Sequence, residues 1–224
     1  AFDTDIHSAR ATYEIQYGNI ERPTHKNTTW DRAKFEVCGQ RWADLSEGNY
    51  GVTLLNDCKY GYDIHDGLMT LSLLRSPTYP DPAADEGAHD FTYSICPHIG
   101  PANAVHINTH AYDLNNAPVA VAAQGVKDEL PTAFSPIRCD KPNVLCEVMK
   151  EAEDGDAWVF RLYECGNSKT QTAIRFGFAV ESVSLCDMNE QPIRKLSAAN
   201  GEVELLFRPF EIHTLRVTAR KSAF

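Results

Sequence analysis

Asn56, Asp57, Lys59, Tyr60 and Asp63 crowd into eight positions around Gly61, directly behind the apolar pair Leu54-Leu55. An amide, two carboxylates, an ammonium and a phenol on one short loop are the groups that hold sugar hydroxyls and cover a sugar's C–H face. Arg22, His25, Asn27 and Trp30 offer a second such set within nine positions. Asn56 and Asp57 suit a sharp turn, and Gly61 is open to backbone angles that other residues avoid. Polar and aromatic loops held by strands are common seats of recognition. The plainer reading is structural: Arg22 and Asp57 lock the two loops together while Trp30 fills a rim.

Other chemistries fit less well. A retaining glycosidase needs two carboxylates about 5–5.5 Å apart. Asp57 and Asp63 are the nearest candidates, yet both read better as turn caps, so no catalytic residue is assigned. Asp81, Asp85, His89, Asp90 and His98 have the right types for a metal ion. Their spacing matches neither an EF-hand loop nor H-E-x-x-H, and the stretch reads as a solvated acidic loop. His106 and His110 stand four apart in the strand-like stretch Val105 to Tyr112, where that spacing does not pair side chains. They are read as surface histidines. The seven cysteines show no C-x-x-C spacing; those in Phe35-Glu36-Val37-Cys38 and Val144-Leu145-Cys146 read as packed, reduced thiols. That usage points to a reducing, cytoplasmic setting.

Composition narrows the partners. A net charge of −10 excludes a nucleic-acid surface, and no run approaches the ~18 apolar residues of a membrane span. With 43% hydrophobic residues, the 224-residue chain can fill a real core. Ala1-Phe2-Asp3-Thr4-Asp5 lacks the basic and apolar regions of a signal peptide and reads as a start within a longer chain.

The elements that position the two loops are strands. Tyr13, Ile15 and Tyr17 alternate with Glu14 and Gln16, and Phe91, Tyr93 and Ile95 with Thr92 and Ser94. Similar alternation runs through Trp158-Phe160-Leu162 and Val203-Leu205-Phe207, predicting one apolar face inward and one polar face outward. Helical signals are poor; the best, Met149 to Asp154, runs into Asp154-Gly155-Asp156, a hairpin signature. The expected fold is all-β: antiparallel sandwiches. Gly18 to Asp31, Ser76 to Asp90 and Gly125 to Asn143 read as irregular, the last as a linker. Residues 1–136 would form part of a large sandwich and 137–224 a small one, with strands near 144–150, 158–164, 172–180, 182–186, 202–207 and 212–218.

Several of these stretches carry a resemblance. Ala11 to Gly18, Glu21-Arg22-Pro23-Thr24-His25-Lys26-Asn27-Thr28-Thr29-Trp30, Trp42-Ala43-Asp44-Leu45-Ser46-Glu47 and Leu54 to Asp63 resemble the C-terminal part of family 38 glycoside hydrolases. So do Ser72 to Pro77, His89-Asp90-Phe91-Thr92-Tyr93, Arg161-Leu162-Tyr163-Glu164 and Pro209-Phe210-Glu211-Ile212. The nearest branch is the bacterial and cytosolic class II α-mannosidases. The resemblance implies a galactose-mutarotase-like sandwich followed by a small terminal β-domain. It also implies a zinc-dependent, retaining parent enzyme acting on terminal α-mannosyl residues. In such enzymes zinc, the aspartate nucleophile and the acid/base carboxylate belong to an α/β catalytic domain whose motifs do not occur here. No cofactor is therefore expected within this chain, and alone it should be inactive. Its expected partners are that N-terminal catalytic domain and a mannose-containing oligosaccharide, with self-association through unpaired sandwich edges. Arg22, His25, Asn27, Trp30, Asn56, Asp57, Lys59, Tyr60 and Asp63 would face substrate or the catalytic domain. The two loops are expected side by side, with the strand at Phe35 to Cys38 paired to the strand entering Asn56. A free-standing carbohydrate-binding sandwich is the alternative.

Overall fold

The structure, a computed structural model, describes residues 1–122 and 132–220. Part of the expected linker, residues 125–131, lies outside them. The chain divides into two compact units, Ala1–Val119 and Ala120–Phe224.

The first unit packs two antiparallel sheets face to face. Its strands are β1 (Phe2–Asp3), β2 (Arg10–Ile15), β3 (Gly18–Pro23), β4 (Val37–Cys38), β5 (Trp42–Ser46), β6 (Tyr50–Asn56), β7 (Gly61–His65), β8 (Leu68–Leu71) and β9 (Tyr93–Ile99). One sheet runs β3-β2-β5-β6-β9 and the other β1-β8-β7-β4. Tyr13, Leu45, Val52 and Leu54 from the first sheet meet Tyr62, Ile64, Met69 and Leu71 from the second. The opposite face of the first sheet is covered too. There Trp42 and Leu55 pack against Ile107 and Ala111 of a helix, α2 (Ala104–Asn115). Burial on both faces explains why β5 and β6 read as nearly continuous buried runs instead of alternating.

Four expectations for this unit need correction. Gly18 to Asp31 is not irregular throughout. β3 pairs along β2, and a short helix, α1 (Thr29–Ala33), is closed by a reciprocal Thr28–Asp31 capping box. Val105 to Tyr112 is helix, not strand: Asn103 caps it, and Ile107, Ala111 and Leu114 share the face turned to the sheet. His106 and His110 are exposed on that helix. β4 pairs with β7, not with β6, which lies between β5 and β9. Lastly, the polar face of β2 is not turned to water. Glu14 is buried, accepting from Arg41 N at 2.8 Å and Nε at 2.9 Å, while the Arg41 guanidinium stacks on Tyr112 of α2. On β9, by contrast, Tyr93, Ile95 and Ile99 face outward on an edge strand.

The second unit holds β10 (Ile137–Cys139), β11 (Val144–Glu151), β12 (Trp158–Glu164), β13 (Thr170–Phe176), β14 (Val180–Cys186), β15 (Pro192–Leu196), β16 (Glu202–Phe207) and β17 (Ile212–Ala219). A three-stranded sheet β10-β13-β16 faces a five-stranded sheet β11-β12-β17-β14-β15 across Phe160, Leu162, Ile174, Val203, Phe207 and Leu215. The six expected strands are all present. Met149 to Asp154 is no helix: its first residues finish β11, and Ala152 N donating to Ala157 O at 2.8 Å closes the hairpin around Gly155. Glu164 is buried where β12 ends, satisfied by Gly166 N, Asn143 Nδ2, Ser168 N and Phe210 N. It thereby ties the Arg161 to Glu164 motif to Pro209 to Ile212.

Candidate functional site

Asn56 sits at the end of β6 and is 1% exposed. Its amide donates to Gln40 O at 3.0 Å and to the Tyr62 hydroxyl, and its oxygen accepts from Cys58 N at 3.0 Å and from Lys59 N. The side chain therefore forms the turn from within. It does not face a ligand. Asp57 follows, exchanging hydrogen bonds with the backbone of Thr92: its N donates at 3.1 Å and its Oδ2 accepts at 3.0 Å. The Cys58 thiol first, then the Thr92 N–H, hold the Asp57 carboxyl below the usual range.

The turn throws Lys59 and Tyr60 outward. Tyr60 is 59% exposed, and Lys59 Nζ lies 5.1 Å from the centre of the Phe91 ring. Both line an open hollow of ≈ 770 Å³, together with Phe35, Glu36, Arg75 and His89. Phe35, Glu36 and Arg75 were not singled out as site residues in the sequence, and His89 was considered there only as a metal ligand. Ser72 donates to Glu36 Oε1 at 2.5 Å, fixing the acid beside Gly61. Gly61 has no positive φ, and a Cβ there would displace the Glu36 carboxylate from its place beside the turn. The hollow thus offers an ammonium, a guanidinium, a carboxylate, an imidazole and two exposed aromatic rings, which suits a polyhydroxyl ligand or a polar protein face.

Arg22, His25 and Asp63 line a separate, narrower hollow beside it. Arg22 lies over the Tyr13 ring, Cζ 4.7 Å from its centre. Its guanidinium does not reach Asp57, so it does not lock the loops. Burial pulls the Arg22 pKa down, partly offset by Tyr13. His25 Nδ1 stands 3.6 Å from Asp31 Oδ2. Asp63 caps no turn: it lies within β7, 2.9 Å from His65 Nδ1. Asn27 is exposed, and Trp30 on α1 is 79% exposed, filling no rim. The expected cluster is thus divided: Lys59 and Tyr60 in one hollow, Arg22, His25 and Asp63 in the other, with Asn56 buried as the scaffold of the turn.

No three His, Cys, Asp or Glu residues among those described could hold a metal ion together. His98 instead meets the buried Asp44, Nε2 to Oδ2 at 2.7 Å, and Asp85 accepts from Ser76 N at 2.8 Å. Cys38, expected inside a core, is exposed, as is Cys58.

Residues 1–83 match the glycosyl hydrolases family 38 C-terminal domain, and residues 143–215 match that family's C-terminal beta sandwich domain. The chain belongs to glycoside hydrolase family 38, as its C-terminal region. Alpha-mannosidase 2C1 of Mus musculus is 40% identical over 96% of this chain and 21% of its own length. Alpha-mannosidase G of Dictyostelium discoideum is 41% identical over 94% of this chain and 20% of its own length. The chain therefore spans about a fifth of the length of the curated relatives it matches. Among solved structures, an alpha-mannosidase from Enterococcus faecalis V583 superposes with a TM-score of 0.79 at 19% identity, covering 96% of this chain and 25% of that one. At that identity the likeness concerns the fold. The family 38 C-terminal region is all-β here, as expected.

Proposed function

We propose that this chain is the C-terminal β-region of a zinc-dependent, retaining α-mannosidase that acts on mannose-containing oligosaccharides in the cytoplasm. The observation that carries the reading is the identity of about two residues in five, sustained along almost the whole chain, to alpha-mannosidases. In this reading the Lys59–Tyr60 hollow is the face turned to the catalytic domain, where it helps wall the sugar pocket. Zinc, nucleophile and acid/base belong to the remainder of the polypeptide; the residues of this chain support and line. Exposure of Tyr60, Phe35 and Leu74 around one hollow supports a face that another surface covers.

Hydrolysis of an aryl α-mannoside tests the proposal. The full-length polypeptide carrying this chain should turn over the mannoside and lose turnover on chelation, regaining it with zinc. The 224-residue chain alone should show none. Absence of turnover by the full-length protein, or turnover by the chain alone, defeats the reading. A carbohydrate-binding module would instead bind mannosides as this chain and never hydrolyse them in any longer form.

A further inference from the structure

His106 and His110 stand about one turn apart on α2, both exposed. On a strand a spacing of four would not pair them; on this helix it sets their Cβ atoms about 5–6 Å apart on one face. All eight histidines of the chain lie among the described residues. The other six each have a hydrogen-bond or acidic partner there, as His98 has Asp44 and His213 has Leu206 O. The rings of His106 and His110 have neither.

The backbone that carries them is firmly held. Asn103 caps the start of the helix, and Ile107 and Ala111 pack in a core with Trp42 and Leu55. Trp42 Nε1 donates to Asn108 Oδ1 at 2.9 Å, and Asn115 Nδ2 donates to Asn56 O at 3.1 Å. Two imidazoles are thus presented at a fixed spacing, with no protein partner to give up. The same spacing supplies the two histidine ligands of the helical H-E-x-x-H zinc site. Imidazole suits Zn²⁺, Ni²⁺ and Cu²⁺, and a second ligand already in place binds at high effective concentration. Asp113, exposed three positions beyond His110, adds negative charge along that face. No third His, Cys, Asp or Glu joins the pair among the described residues, so water would fill the remaining positions. Mg²⁺ and Ca²⁺, which take oxygen ligands, do not fit.

We propose that His106 and His110 form a bidentate surface site for a divalent transition-metal ion of the Zn²⁺, Ni²⁺ and Cu²⁺ class. The site shares no residue with either hollow and does not rest on the function proposed above. Its ion is separate from the zinc assigned to the remainder of the polypeptide.

The test is a titration of the full chain with Ni²⁺ and, separately, Mg²⁺, following the histidine ring signals by NMR. Ni²⁺ favours imidazole and does not oxidise the exposed Cys38 and Cys58. A non-chelating buffer at about pH 7.5 keeps ordinary imidazole neutral and able to ligate. The His106 and His110 signals should broaden together and saturably, ahead of the other six, and Mg²⁺ should move neither. His106→Gln and His110→Gln should each weaken binding at least about tenfold, since either leaves a single ligand. The double variant should lie within about threefold of the singles, because the two rings act as one site. Both positions are exposed, so the variants should fold, as unchanged circular dichroism would verify. His7→Gln, on an exposed histidine beside Asp5, should change binding less than about twofold. No saturation below about 1 mM Ni²⁺ overturns the proposal, as does equal saturation by Mg²⁺. Wild-type affinity in either single variant, an equal loss in His7→Gln, or single losses that simply add in the double variant overturn it as well.

Discussion

The side chain of Asn56 reaches Gln40 O, the Tyr62 hydroxyl and two backbone N–H groups at once, from a fully buried position. Asn56→Ala would strand several of these, and unmatched buried polar groups cost about 1–3 kcal/mol each. A loss of about 2–4 kcal/mol in urea unfolding is expected; less than about 1 would show that the turn holds by other means. The turn itself was legible, since Asn-Asp is turn chemistry. The amide's bond to Tyr62 was not, because it depends on a packing partner on another sheet. Asp57 gives a pH signature. Its folded pKa is depressed below the ordinary 3.8, so its contribution is complete above that value and disappears as pH falls through the lower folded one. The stability gap between wild type and Asp57→Ala should therefore be constant near neutrality and shrink below about pH 3.8; a gap that widens in acid would contradict the assignment. Cysteine labelling separates surface from core. Cys38 and Cys58 are exposed, while burial pushes the Cys146 thiol up to about 11 and Cys139 to about 12. Alkylation followed by mass spectrometry should modify Cys38 first, then Cys58, whose thiol is raised by its bond to Asp57, the half-buried Cys139 and Cys146 more slowly, and the buried Cys165 and Cys186 only on unfolding.

Among the elements, β16 was readable because it alternates with one face in the core: Val203, Leu205 and Phe207 are buried while Glu204 and Leu206 are exposed, whereas β12 buries Val159 and Phe160 in succession and leaves Trp158 exposed. β15 and β10 escaped notice because the first is almost wholly exposed and the second is three residues long. Helix α2 escaped because its apolar face is narrow, set by Ile107, Ala111 and Leu114, while Asn103, its cap, was the available sign. The β7–β8 hairpin turns through Asp66 and Gly67, both at positive φ, the Asp-Gly pattern of a two-residue turn. Gly67 has φ +79°, and a Cβ there would stand 2.8 Å from Thr4 O. Thr4 N also donates to Gly67 O at 3.0 Å, so the backbones cannot separate cheaply. Gly67→Ala should cost about 1–3 kcal/mol in the same unfolding experiment, and a neutral outcome would mean that the turn tolerates a Cβ.

At the scale of the molecule, the family was legible because its motifs lie at fold-determining places: Glu164 and Phe210 meet at one buried carboxylate, and Leu54 to Asp63 crosses from strand to turn to strand. The face those motifs expose was less legible. Loop residues read as one cluster divide between two hollows, since β4 pairs with β7 and separates Arg22 from Tyr60. The chain alone also leaves β9 unpaired at a sheet edge, with Ile99 94% exposed. Such edges recruit other strands, so sedimentation of the isolated chain should show association at micromolar concentration, and Ile95→Lys should suppress it. A clean monomer would argue that the edge is protected.

The most direct test is the kcat/KM for an aryl α-mannoside of the full-length polypeptide bearing Lys59→Ala and Tyr60→Ala, set against Trp30→Ala. If the Lys59–Tyr60 hollow walls the sugar pocket, the double variant should lose at least about tenfold, as lost contacts at a covered polar face do. Trp30→Ala, on an exposed helix outside both hollows, should stay within about twofold. Full activity in the double variant, with a large loss in Trp30→Ala, would place the functional face elsewhere and contradict the account.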